Sequence, residues 1–177
     1  DVDVFGNRTR PFLKIQDGCN AFCTYCIVPH TRGRSRSMDP DTVLQRLHEL
    51  GRSGYREVVL TGIHIGAWGQ DLSPSTSFYD LLSRIEDERP VPRIRISSIE
   101  PRELTPAILG LFKTSDICCR HVHIPVQSGD SGILKAMNRP YDREYLRDLI
   151  RSVVAQIPDA AVGVDLLAGF PGETEDK

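Results

Sequence analysis

Short apolar runs that alternate with stretches of helical spacing confine this chain to folds built on a parallel sheet. Phe12–Gln16 reads as the first strand. Asp39-Pro40 then opens a helix with proline at its first position and Val43, Leu44, Leu47 and Leu50 along one face. Glu57–Thr61, ending at Gly62, is the second strand, followed by a helix from near Ser77 that buries Phe78, Leu81, Leu82 and Ile85. Arg93–Ser98 and His121–Gln127 are the third and fourth strands, with a helix over Leu104–Phe112 between them. A helical segment in two parts follows, around Ile133-Leu134-Met137 and then Tyr145 to Val153. Ala161–Ala168 is the fifth strand. Right-handed crossovers are expected throughout.

Periodicity alone does not separate an open doubly wound sheet from a barrel, but the strand faces do. A parallel strand covered on both faces should be almost wholly apolar. Here Lys14 and Gln16 share one face, as do Arg93, Arg95 and Ser97, and His121, His123 and Gln127, while Asp165 sits between Val164 and Leu166. Helices over the apolar faces would leave the polar faces lining a wet interior, as in an incomplete barrel around a ligand. Solvated edge strands are the plainer explanation, and they cannot account for four strands of five.

The chain has 177 residues, 40% of them hydrophobic, enough for one domain with a core. The expected layout is a linker over residues 1–11 and a core over 12–177. Asp1 without an initiator Met and the charged run Glu173–Lys177 read as cut ends of a longer chain. No apolar run is long enough to span a membrane and no signal peptide opens the chain, so a soluble cytoplasmic protein is expected; a monomer is expected as well. A net charge of −2 means that any nucleic-acid partner must meet a local basic patch. Arg32, Arg34 and Arg36 supply one. It is either a solvated loop or a contact for RNA phosphates.

Five cysteines are an odd number for a disulfide framework, and three of them, Cys19, Cys23 and Cys26, fall within eight residues. The segment Asp17-Gly18-Cys19-Asn20-Ala21-Phe22-Cys23-Thr24-Tyr25-Cys26 follows the first strand directly, where parallel α/β folds place their sites. Three thiolates can hold three irons of a [4Fe–4S] cluster and leave the fourth open to a chelating ligand. A Cys3His zinc site completed by His30 is the second reading, although zinc sites favour paired knuckles. Buried free thiols are the third. Cys118 and Cys119 read as packing residues, with a fourth cluster ligand as the lesser alternative. Trp68 reads as a partly packed loop residue rather than a base-stacking platform.

The C-x3-C-x2-C loop with Tyr25 before its last cysteine resembles the signature of the radical S-adenosylmethionine (SAM) superfamily. Further segments resemble the methylthiotransferases within it: Phe12 to Cys19, Thr31 to Ser37, Val59 to Gly66, Ser97-Ser98-Ile99-Glu100-Pro101, Pro125 to Gly129, Met137-Asn138-Arg139 and Gly169 to Thr174. Within that family Leu60 to Gly66 and Ser97 to Pro101 are most similar to the branch acting on N6-threonylcarbamoyladenosine in tRNA. Other branches act on isopentenyladenosine or a ribosomal-protein aspartate. The resemblance implies a partial (β/α)6 barrel, cut here after about five units. It implies a [4Fe–4S] cluster on Cys19, Cys23 and Cys26, with SAM chelating the open iron. Reductive cleavage of SAM would give a 5′-deoxyadenosyl radical that abstracts hydrogen from C2 of adenosine 37, where a methylthio group is then built. By motif, Tyr25 would pack near the SAM adenine and Thr61-Gly62 would receive the SAM amino group. Glu100, Gln127, Arg139 and Asp165 would supply polar SAM contacts.

Each has a plainer reading. Arg139 could pair with a surface acid, Glu100 could cap the third helix, and Gly62, Gly66 and Gly169 could serve tight turns. Asp165 is harder to dismiss, since an unpaired buried carboxylate is costly. The resemblance further implies tRNA as partner, a reductant such as flavodoxin or ferredoxin, and a second [4Fe–4S] cluster in an amino-terminal domain absent here. Two other functions stay open: a radical SAM enzyme of different activity, and a zinc-stabilised RNA-binding module without catalysis.

Overall fold

The computed structural model describes residues 9–177, so the expected linker falls, for residues 1–8, outside the described part. Its principal strands are β1 (Phe12–Lys14), β4 (Glu57–Thr61), β5 (Arg93–Ile96), β6 (His121–Gln127) and β7 (Ala161–Leu166). β1, β4 and β5 pair in parallel, as do β6 and β7. Parallel bridges Ile94–Cys118 and Ser98–His123 join the two groups, giving the spatial order β1-β4-β5-β6-β7. Five parallel strands in chain order, each followed by a helical crossover where the chain continues, make the mixed α/β fold that the alternation requires. Two elements were not expected. β2 (Gln16–Asp17) and β3 (Arg36–Ser37) form a two-residue antiparallel pair, and α1 (Val28–Thr31) is a single turn with no buried residue.

The remaining helices are α2 (Pro40–Arg52), α3 (Phe78–Glu88), α4 (Pro106–Thr114), α5 (Ser131–Ala136) and α6 (Arg143–Gln156). Each begins at a side chain that accepts from an otherwise unpaired backbone N–H: Asp39, Ser77, Thr105, Asp130 and Asp142 in turn. Ser77 and Asp80 cap each other reciprocally. The third helix therefore starts at Pro106, not at Leu104. Thr105-Pro106 repeats the cap-then-proline signal of Asp39-Pro40, and Pro101–Glu103 forms a separate 3-10 turn before it.

The strand faces divide as the alternation demands. Ile15, Val58, Leu60, Ile94, Ile96, Val122 and Ile124 are buried beneath the helices, each contributing about 1.5–3 kcal/mol. The other face is polar. At the amino ends of the strands, Glu57 is shared by Arg95 (2.8 Å), Arg93 (3.4 Å) and Arg10 (3.5 Å), which neutralises it. Toward the carboxyl ends the same face carries Ser98, His123 and Asp165.

Candidate functional site

The cysteine loop leaves the first strand through Gly18, whose φ is +71°. A Cβ there would lie 2.0 Å from the Arg34 carbonyl oxygen, so only glycine lets the two segments close, and the Cys19 amide donates to the Gly33 carbonyl at 3.1 Å. Gln16, 2% exposed, fastens the loop from inside. Its amide nitrogen donates to the Gly18 carbonyl (2.8 Å) and Ser35 Oγ (2.9 Å), and its oxygen accepts from the His64 amide (2.8 Å). Gly62 lacks a side chain because a Cβ there would lie 2.9 Å from that Gln16 oxygen. From the far side the turn after α5 holds the loop. The Thr24 amide and hydroxyl donate to the Met137 and Ala136 carbonyls (3.2 and 2.9 Å), and Asn138 Nδ2 donates to the Phe22 carbonyl (3.1 Å).

All three loop thiols are free and partly accessible. Cys19 Sγ lies 3.4 Å from His64 Nδ1 and accepts from the Ala21 amide at 3.4 Å. Burial opposes ionisation of Cys19, yet these contacts hold its thiol below the usual range. His64 Nε2 in turn meets Glu103 at 2.6 Å. Burial disfavours the charged ring, but the hydrogen bonds to Cys19 and Glu103 outweigh it and push His64 up to about 10. Cys23 Sγ accepts from Arg139 Nη1 at 3.2 Å. Arg139, 8% exposed, also pairs with Glu100, donates to the Tyr141 hydroxyl at 2.7 Å and to the Pro125 carbonyl at 3.2 Å, and lies over the Tyr141 ring. Burial pushes Tyr141 up to about 12, with Arg139 working against it. Among the described residues no three His, Cys, Asp or Glu side chains converge to hold a single metal ion. A cluster asks for one thiolate per iron rather than a common centre.

Glu100 therefore turns to Arg139 rather than capping a helix with its side chain, and Arg139 is a buried partner, not a surface one. Asp165 is exposed and meets His123 Nε2 at 3.1 Å, while His123 Nδ1 lies 3.3 Å from Ser98 Oγ. Gln127 closes β6 beside an irregularity in the ladder, with φ +68°. Thr61 ends β4 opposite Lys14. Tyr25 sits 3.5 Å from Arg139 and lines a groove of about 440 Å³ with Thr24, Ala136 and Leu167–Pro171. Arg32, Arg34 and Arg36 are all exposed. Arg32 reaches Asp17 (3.4 Å), Arg36 lies on the Arg32 carbonyl (2.9 Å), and among the described residues the Arg34 guanidinium has no partner. His30 packs edge-on against Phe22. Cys118 and Cys119 are buried, as packing residues would be. Trp68 is fully buried instead of partly packed, because its indole N–H finds the Met38 carbonyl at 3.0 Å. Gln16, His64 and Glu103 escaped the reading of the sequence as site residues. The only local signal for them was the pair of glycines, Gly62 and Gly66, that make room for Gln16 and Glu103.

The profile of the Radical SAM superfamily matches residues 13–177. The chain belongs to the radical SAM superfamily. Membership implies a [4Fe–4S] cluster and SAM, and the residues present fit such a group: three free thiols on one loop at a strand's carboxyl end, two of them facing N–H donors. Relatives include threonylcarbamoyladenosine tRNA methylthiotransferase MtaB of Bacillus subtilis, 45% identical over 100% of this chain and 39% of its own length. A tRNA-2-methylthio-N(6)-dimethylallyladenosine synthase of Clostridium tetani is 43% identical over 96% of this chain and 38% of its own. The chain thus spans under two fifths of the curated relatives it matches. Among solved structures, the radical SAM methyltransferase TsrM of Kitasatospora setae superposes with a TM-score of 0.75 over 94% of this chain and 32% of its own, at 19% identity, a likeness of fold.

Proposed function

We propose that this chain is the SAM-cleaving core of a tRNA methylthiotransferase that acts at C2 of N6-threonylcarbamoyladenosine 37. The observation that carries this reading is 45% identity over the whole chain to an enzyme named for that substrate. When bound, a [4Fe–4S] cluster together with SAM would supply radical chemistry able to take hydrogen from carbon.

The chain's residues orient and enclose that chemistry. Cys19, Cys23 and Cys26 hold the cluster as thiolates. Arg139, whose guanidinium is already bonded to Glu100, Tyr141, the Pro125 carbonyl and Cys23, would bring its positive charge toward the SAM carboxylate. Thr61-Gly62 lies at the end of β4, where the amino group would sit. Glu100, Gln127 and Asp165 offer oxygens to the ammonium and ribose hydroxyls. Tyr25 would present its ring to the adenine in the groove it lines with Thr24, Ala136 and Leu167–Pro171. Arg32, Arg34 and Arg36 meet tRNA phosphates, Arg34 being the readiest. An amino-terminal domain with a second [4Fe–4S] cluster would serve sulfur insertion, and a flavodoxin or ferredoxin would deliver electrons. Among the described residues no helix is long and apolar enough to cross a membrane.

Anaerobic reconstitution should give a brown protein that bleaches with dithionite and cleaves SAM, and Cys→Ser changes at 19, 23 and 26 should abolish both. A colourless protein holding one zinc would sink the reading. For the substrate, mass spectrometry of tRNA nucleosides from a deletion strain should show loss of the 2-methylthio form of threonylcarbamoyladenosine. The 43% identity to a dimethylallyladenosine synthase favours a second reading, in which the dimethylallyl nucleoside is the one that disappears.

A further inference from the structure

We infer that His64 is a positioning residue for the cluster, donating from Nδ1 to the Cys19 sulfur while Glu103 holds Nε2, and that this relay eases reduction of the cluster. The inference rests on the reading of Cys19 as a cluster ligand.

Three observations build it. First, the ring is fixed at both nitrogens, with Cys19 Sγ at 3.4 Å and Glu103 Oε1 at 2.6 Å, and its backbone amide is fixed by Gln16 at 2.8 Å. Second, the other Glu103 oxygen, Oε2, is buried with no partner among the described residues, so the contact with His64 is the one that holds this carboxylate in place. Third, the approach is built for: a Cβ on Gly66 would stand 2.0 Å from Glu103 Oε2, and any side chain there would drive the carboxylate off the ring. A metal-bound Cys19 has no proton to give. With Nε2 held by a carboxylate, Nδ1 is the nitrogen that faces the thiolate, and a thiolate can only accept. His64 then brings an N–H donor to one corner of the cluster, and hydrogen bonds to cluster ligands stabilise the form with the extra electron.

The measurement is an anaerobic redox titration of the full protein, following by electron paramagnetic resonance the signal that responds to SAM, which marks the cluster with the open iron. His64→Leu should make the reduction equilibrium about tenfold less favourable, a midpoint about 59 mV more negative for one electron. Glu103→Gln should shift it the same way by less. His64→Asn, which keeps an N–H near the Nδ1 position, should recover most of the loss. A packing defect alone would lower cluster content and leave the midpoint of the remaining clusters in place. If His64→Leu holds no cluster, Glu103→Gln decides: a negative shift supports the relay and an unshifted midpoint overturns it. A wild-type protein with its cluster and unshifted variants overturns this inference alone. A wild-type protein that takes up no cluster overturns it together with the radical SAM reading of the site.

Discussion

Three glycines allow backbone strain and close approach to be measured separately. Gly54 has φ +90° with nothing within 4 Å of a Cβ, so alanine there meets only the left-handed penalty, about 1–2 kcal/mol. Gly110 lies inside α4 with open space and no unusual φ, so alanine should stabilise by about 0.5–1 kcal/mol. Gly18 combines φ +71° with backbone at 2.0 Å, and backbone cannot swing aside as a side chain would. Alanine there must push the Arg34 segment outward, breaking the Cys19–Gly33 hydrogen bond at about 1 kcal/mol, straining the β2–β3 pair and adding the φ penalty. The total is about 3 kcal/mol or more. Urea unfolding of the cluster-free protein, read through the single, fully buried Trp68, gives all three values in one assay. If Gly18→Ala costs no more than Gly54→Ala, the close approach contributes nothing and the account of the loop is wrong.

Replacing Arg139 by lysine keeps the charge but loses the fork to Glu100, Tyr141 and Pro125; urea unfolding should register a loss of about 1–3 kcal/mol, and an unchanged midpoint would contradict the described network. Asp17 is held down from 3.8 to about 2, first by its hydrogen bond to Lys14 and then by the Gly18 amide. A depressed carboxylate adds stability that is complete above its unfolded value and fades as pH falls, so the acid limb of a stability curve between pH 4 and 2 should flatten in Asp17→Asn. An equally steep limb in the variant would count against it. In the cluster-free protein at pH 8, iodoacetamide followed by peptide mass spectrometry should label Cys19 well before Cys118, whose thiol burial pushes up to about 11. Equal rates would contradict the contrast between the two thiols.

What the sequence disclosed and what it hid follow from chain distance. α2 and α3 were legible because their caps, periodicity and buried residues all lie within one stretch, and the polar strand faces announced a site-lining interior. The cysteine loop was legible for the same reason. The contacts that shape it were not. Gln16 meets His64 across 48 residues and Arg139 meets Cys23 across 116, and no local pattern encodes either. Gly62 and Gly66 looked like turn glycines. They are vacancies for the side chains of Gln16 and Glu103, which the sequence gives no means to pair with them. Trp68 misled because a tryptophan between two small residues looks loosely held, while its one polar atom has a distant carbonyl to bond.

The clasp between the cysteine loop and the turn after α5 also sets a schedule. Thr24 and Asn138 make their bonds across 112 and 116 residues, so the loop leaves the ribosome long before the residues that secure it. At translation rates of about 5–20 residues per second, that interval is on the order of 5–20 s. Through it Cys23 lacks Arg139 and the loop lacks its second anchor. The second anchor of the loop therefore forms only after β6 and α5 have been made, and until then the three thiols stand on a loop held from one side alone.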